Sequence, residues 1–129
     1  MTTLSVPQLA DLLRASSAGW YAAEAAAQLL CGHRSLLTRA DFLTACIDYD
    51  HDGTTPVAWI VWDAIPGYVD RAALSSSEAR ILRLVAELGG TDSGTPLDEL
   101  LSGLDDGNAH LVLHALAHAL HFDHDRRRR

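Results

Sequence analysis

Lysine is absent from these 129 residues, and all ten basic side chains are arginine. That excludes a phosphate loop of the Walker A type, Schiff-base chemistry and a lysine general base. Cysteine is scarce. Cys31 and Cys46 lack the spacing of a metal site, and the pair reads as two reduced, partly buried thiols. Long apolar runs are missing as well. The longest, Val57 to Trp62, has six residues, against roughly 20 for a helix that crosses a bilayer. The stretch from Met1 to Leu13 has no basic region and meets Asp11 before any apolar run develops, unlike a secretory leader. Together these absences indicate a cytoplasmic protein with no membrane contact.

What the chain does have is alanine and leucine, 20 and 21 residues, against 10 valines and isoleucines together. Alanine and leucine, strong helix formers, outnumber valine and isoleucine about fourfold, which predicts an all-α fold. The expected architecture is a compact bundle of about six or seven short helices, with the C-terminal half a tri-helical unit. Residues 1–125 read as a single helical domain, with packed halves at 1–74 and 75–122, and residues 123–129 as a basic tail. The formal charge of −7 divides unevenly along this scheme. Residues 1–125 carry six arginines against 17 acids, a net −11, and Arg126 to Arg129 add four positive charges.

Local signals set the expected elements. Ser5 and Pro7 start a first helix with Leu9, Leu12 and Leu13 at core spacing. Ser16 and Ser17 cap a second from Ala18 to Cys31, stopped by Gly32. Its alanine-rich side, with Ala22, Ala26 and Ala27, suits close packing against an internal neighbour or a second copy. Thr38 with Asp41 resembles a capping box for a third helix. Thr55-Pro56 reads as the start of a central buried helix, Val57 to Ile65, although so short an apolar run also suits a buried strand. Pro66-Gly67 then reads as a break. Ser75 with Glu78 opens a helix from Ser76 to Leu88, Thr95-Pro96 a short one to Leu101, and Asp105 a long one from Asp106 to about Phe122.

Four features carry candidate chemistry. The run Asp48-Tyr49-Asp50-His51-Asp52-Gly53 resembles the first half of an EF-hand calcium loop, which would make Asp48, Asp50 and Asp52 ligands. The twelfth position, where that loop places a bidentate glutamate, is Trp59 here. The competing reading is a solvated acidic turn. A histidine stripe follows: His110, His114, His118 and His121 share an arc of about 80° on the last helix. Neighbours four apart chelate zinc, nickel or copper when other ligands converge on them. His114 and His118 have the spacing of the zinc-protease motif, but alanine replaces its glutamate base. Val112, Leu113, Leu116 and Leu120 are the expected core face.

Residues 76–122 also resemble the tri-helical core of helix-turn-helix and winged-helix proteins, with Ser102-Gly103-Leu104 as the turn. That resemblance implies DNA or RNA contact by the last helix. The helix opens on Asp105-Asp106 and has no arginine before the tail, so it offers phosphates no neutralising charge. The fourth feature is the tail, Arg126, Arg127, Arg128 and Arg129, which suits nucleic acid or an acidic partner.

No nucleophile elbow occurs, and Cys31 lies near a helix C-terminus, where the dipole opposes a thiolate. Asp63, beside Trp59 and Trp62, reads as a structural carboxylate. The sequence therefore predicts no enzyme and no cofactor. Its leading functional reading is a non-catalytic protein–protein interaction or regulatory module, with an unidentified protein partner or self-association as a homodimer. A nucleic-acid-associated regulator and a transition-metal-binding protein are the alternatives.

Overall fold

A computed structural model describes residues 4–122, with Arg34 described in its backbone alone. The tail arginines, Arg126 to Arg129, lie outside the described residues. The chain is mostly helical, but it is not all-α. In order it forms α1 (Val6–Ser17), α2 (Tyr21–Gly32), a 3-10 turn (Arg34–Thr38), α3 (Ala40–Cys46), β1 (Ile47–Asp52) and β2 (Thr55–Ile60). A second 3-10 turn (Trp62–Ala64) leads into α4 (Ile65–Arg71), α5 (Ser76–Leu88), α6 (Leu97–Leu101) and α7 (Asp106–Ala119).

Two helix starts follow the sequence closely. Ser5 and Gln8 close a capping box on α1, and Ser75 and Glu78 close one on α5. Asp105 caps α7 by accepting from the Asn108 amide. Elsewhere the local signals resolve differently. Ser16 and Ser17 end α1 and do not cap α2; Gly19, at φ +100°, turns the chain, and α2 starts at Tyr21. The Thr38–Asp41 capping box does not form, because the Thr38 hydroxyl donates back to Ser35 O and Asp41 accepts from the adjacent Phe42 amide. Pro66-Gly67 is no break. Pro66 occupies the first turn of α4, where its missing N–H leaves no helical bond unmade.

The departure with the largest consequence is the hairpin. The expected helix from Val57 to Ile65 is a strand followed by a 3-10 turn, and the acidic loop is the strand that pairs with it. Residues 47–52 run antiparallel to 55–60, in a register that sets Asp48 opposite Trp59, Asp50 opposite Val57 and Asp52 opposite Thr55. Gly53 alone of the two turn residues has positive φ, +65°, the arrangement of a type II′ turn. Burial in β2 alternates: Ala58 and Ile60 are buried, Trp59 is exposed and Val57 half-buried. A helix through these residues would have had to bury both tryptophans and leave three neighbouring carboxylates without a partner strand. The strand pair puts the apolar side chains inward and the acids in water.

One core runs through the whole described chain. Leu13, Ala26, Leu30, Leu36, Phe42, Ile65, Ile81, Leu82, Val85 and Ala115 belong to a continuous buried cluster. The alanine side of α2 faces inward. Ala25, Ala26 and Ala27 are fully buried, and α2 packs on α1, α5 and α7, so Ala26 and Ala27 do not line a subunit seam. Gly32 ends α2 with Leu111 of α7 set directly against it; a Cβ there would lie 2.8 Å from Leu111 Cδ2. The tri-helical half is not separate, since α7 packs on α2 more extensively than on α5.

The face that α7 turns inward differs from the expected one. Asn108, Val112 and Ala115 are buried, whereas Leu113 and Leu120 are exposed. The cause is the fit to α2. An alanine-rich surface and Gly32 draw the helix close along its narrow side; Val112 and, in part, Leu116 stay on the inner face as expected, Leu111 joins them, and Leu113 and Leu120 are left outside.

Candidate interaction site

The chain has three tryptophans, Trp20 and the neighbouring Trp59 and Trp62, and all three line one groove. Trp20 and the end of α1 (Ser16, Ser17, Ala18) form one wall; Trp59, Ile60 and Trp62 form the other, with Ala23 between them. The space enclosed is about 420 Å³, the size of a small ligand pocket. Each ring is placed by a local rule. Trp20 is the N-cap residue of α2 in extended backbone, which points it away from the helix and leaves it 62% exposed. Trp59 stands on the outward face of β2 and is 38% exposed. Trp62 follows the end of β2 and lies over Gly89, at the C-terminal end of α5. A Cβ at Gly89 would fall 2.3 Å from Trp62 Cε3, so glycine is what lets the indole sit there.

The hairpin gives this aromatic surface an acidic border. Residues paired across an antiparallel ladder project on the same side. The side bearing Trp59 and Val57 therefore also bears Asp48, Asp50 and Asp52, all exposed. These are the residues expected as calcium ligands. They stand two apart along an extended strand, not around a loop, so the EF-hand resemblance does not extend to its geometry.

The histidine stripe is divided by α2. His118 Nε2 lies 2.7 Å from Glu24 Oε1, and His121 stacks on Tyr21 with ring centroids 4.4 Å apart. Tyr21 also meets His118 edge-on, at 5.8 Å. His110 Nδ1 lies 2.7 Å from Asp106 O of its own helix, and His114 is exposed. Among the described residues no group of three or more His, Cys, Asp or Glu is placed to hold a metal ion. Glu24 is more than a histidine partner. Its other oxygen accepts from the Gly19 amide at 2.8 Å, and these two contacts, the Gly19 one foremost, hold its carboxyl below the ordinary value. The pair lines a second recess of about 370 Å³ with Arg14 and Gln28.

Two other clusters are structural. Arg39 donates to both Asp41 oxygens and to the Tyr68 hydroxyl, and lies 3.8 Å from Glu78, which joins α3, α4 and α5. That guanidinium is the main reason Asp41 titrates below its ordinary range. Ser35 lies between His33 Nδ1, at 3.2 Å, and Glu78 Oε2, at 3.3 Å. The order is wrong for a nucleophilic triad, because the carboxylate bonds the serine and does not orient the imidazole. Asp63 is exposed. Both cysteines are buried free thiols; desolvation raises Cys31, and pushes Cys46 up to about 11. No described helix is long and apolar enough to cross a membrane.

Compared with protein-family models, with curated proteins and with solved structures, this chain has no match. The functional reading therefore rests on the residues themselves.

The tryptophan groove was not foreseen from the sequence, which put Trp59 and Trp62 inside a buried helix. The shortness of the apolar run suits a strand, but Val57 and Trp59 on its outer side are as apolar as Ala58 and Ile60 on its inner side, so no polar–apolar period marked which face meets solvent.

Proposed function

We propose that this protein is a non-catalytic interaction module, and that its three-tryptophan groove receives a segment of a partner protein with an apolar anchor flanked by arginine or lysine. The observation that carries the reading is the convergence of Trp20, Trp59 and Trp62 on one open groove while two of them stay substantially exposed. Exposed indoles are costly to keep in water and are the side chains most enriched where binding energy concentrates. The charge of the partner follows from the border. Asp48, Asp50 and Asp52 flank the groove on an acidic body, so they favour a basic segment and repel an acidic one. A nucleic-acid partner fits this surface poorly, because Asp105 and Asp106 are exposed where α7 would meet phosphates.

The test is a fluorescence titration of the full chain with a 12-residue peptide of alternating leucine and arginine, and with its leucine–glutamate counterpart. The basic peptide should shift indole emission and saturate, with affinity falling as salt rises. Trp20→Ala and Trp59→Ala should each weaken it about tenfold or more, the mark of an anchor worth at least about 1.4 kcal/mol. Equal binding of both peptides, or binding indifferent to the tryptophans, overturns the proposal.

A further inference from the structure

The hairpin is a sheet of two strands, so each strand has one edge without a strand beside it. α1 packs on β2, whereas β1 packs mainly on β2 and on the adjoining α3. The register decides which backbone groups β1 turns outward. A two-residue turn makes Asp52 and Thr55 a hydrogen-bonded pair. Bonded pairs then alternate through Asp50–Val57 and Asp48–Trp59 to the Val61 amide, which donates to Cys46 O at 2.8 Å. Pro56, opposite His51, falls at an unbonded pair, where its missing N–H costs the ladder nothing. Ile47, Tyr49 and His51 therefore point their N–H and C=O groups away from β2. The Ile47 amide donates to Leu43 O and the His51 amide to Asp50 Oδ1. Among the described residues, nothing pairs with the Tyr49 amide or with the Ile47, Tyr49 and His51 carbonyls.

We infer that this edge accepts a third strand from a partner protein, an antiparallel extended segment in which arginine or lysine alternates with apolar residues. The backbone groups call for an extended chain, because they recur every second residue along the strand. Each face of the strand then fixes half of the pattern. Asp48, Asp50 and Asp52 stand together on one face, all exposed. A segment bonded through Ile47, Tyr49 and His51 sets its intervening residues opposite those aspartates as unbonded pairs, where side chains lie closest. Basic residues match there. The bonded residues of the segment lie on the face of Tyr49, which is 50% exposed beside buried Ala58. An apolar side chain on that face covers the ring. The same charges disfavour a second copy of this chain, because pairing two β1 edges antiparallel through Tyr49 sets Asp48 or Asp50 against another aspartate. The tryptophan groove takes its hairpin wall from β2, so the inference does not rest on it.

An NMR titration of the full chain with an end-blocked seven-residue peptide of alternating arginine and valine tests this. The peptide should slow solvent exchange of the Tyr49 amide about tenfold or more, and its affinity should fall as salt rises. N-methylation of the three valines removes the N–H groups that face β1 and should weaken binding about tenfold or more. N-methylation of the arginines, whose N–H groups face solvent, should leave binding in place. Asp48→Asn combined with Asp50→Asn should weaken it severalfold, with the melting temperature of the wild type retained, since both side chains are exposed. Trp20→Ala, which impairs the groove alone, should leave the Tyr49 protection intact. No binding at about 1 mM peptide, equal binding of the valine-methylated peptide, or loss of Tyr49 protection in Trp20→Ala overturns the inference; the last would assign the peptide to the groove.

Discussion

Replacing Gly89 by alanine adds one methyl group beneath Trp62. Gly89 has φ −80° and ψ 0°, a conformation alanine adopts without strain, so backbone geometry predicts no loss. Considered alone, the change should even stabilise by about 0.4–1 kcal/mol through the unfolded chain. The space says otherwise. The new Cβ would lie 2.3, 2.5 and 2.9 Å from Trp62 Cε3, Cδ2 and Cζ3, where carbon atoms sit comfortably at about 3.5–4.0 Å. The indole must retreat by about 1 Å or leave its rotamer, and overpacking of that kind costs about 1–3 kcal/mol. The net expectation is a loss of about 1–2 kcal/mol, or about 3–8 °C in melting temperature for a domain of this size. Urea unfolding followed by indole fluorescence measures it. In a Trp62→Leu background the same glycine substitution should be neutral or stabilising, because the ring it strikes is gone. Gly90→Ala is the control. Its φ of +92° with no atom near its Cβ position makes its cost one of backbone, equal in both backgrounds. Full stability of Gly89→Ala in the wild-type background would refute the seating of Trp62 and the groove wall it forms.

Three further expectations follow from the same contacts. Glu24, Asp41 and Glu78 titrate below their ordinary values in the folded protein, so their stabilisation is present above the unfolded values and is lost as pH falls through the folded ones; melting temperature should drop progressively below about pH 5, and Glu24→Gln should flatten part of that fall. Ile60→Ala should cost about 2–5 kcal/mol in urea unfolding, and Trp59→Ala clearly less, since only Ile60 is buried; equal losses would argue against the strand. Cys31 and Cys46 should resist a thiol-specific colorimetric reagent at pH 8 in the native protein and react at once in 6 M guanidinium, because burial withholds both the thiols and their ionisation.

What was legible in the sequence was local. Ser5 with Pro7, and Ser75 with Glu78, announce α1 and α5 because each signal lies within three residues of chain. The core positions Leu9, Leu13, Ile81, Leu82 and Val85 are buried where the helical period puts them. The hairpin was not legible in the same way. Asp48 to Asp52 has little strand character alone, and it becomes a strand because residues 55–60 pair with it across a two-residue turn. The rotation of α7 was hidden for a related reason. Periodicity identifies an apolar stripe, but the small residues on α2 decide which side of a helix as rich in alanine as in leucine turns inward. The groove needed both outcomes of folding at once: the turn at Gly19 that projects Trp20, and the strand that projects Trp59 toward it.

Selection from a displayed library of random 12-residue peptides asks whether the tryptophan groove takes a basic, apolar-anchored protein segment. Full-length protein is the bait, and the Trp20→Ala and Trp59→Ala variants serve as counter-selections. Recovered peptides should share an aromatic or aliphatic anchor with arginine or lysine beside it, and should lose binding to both variants. Recovered peptides that are acidic, or that bind the variants as well as the wild type, would contradict it.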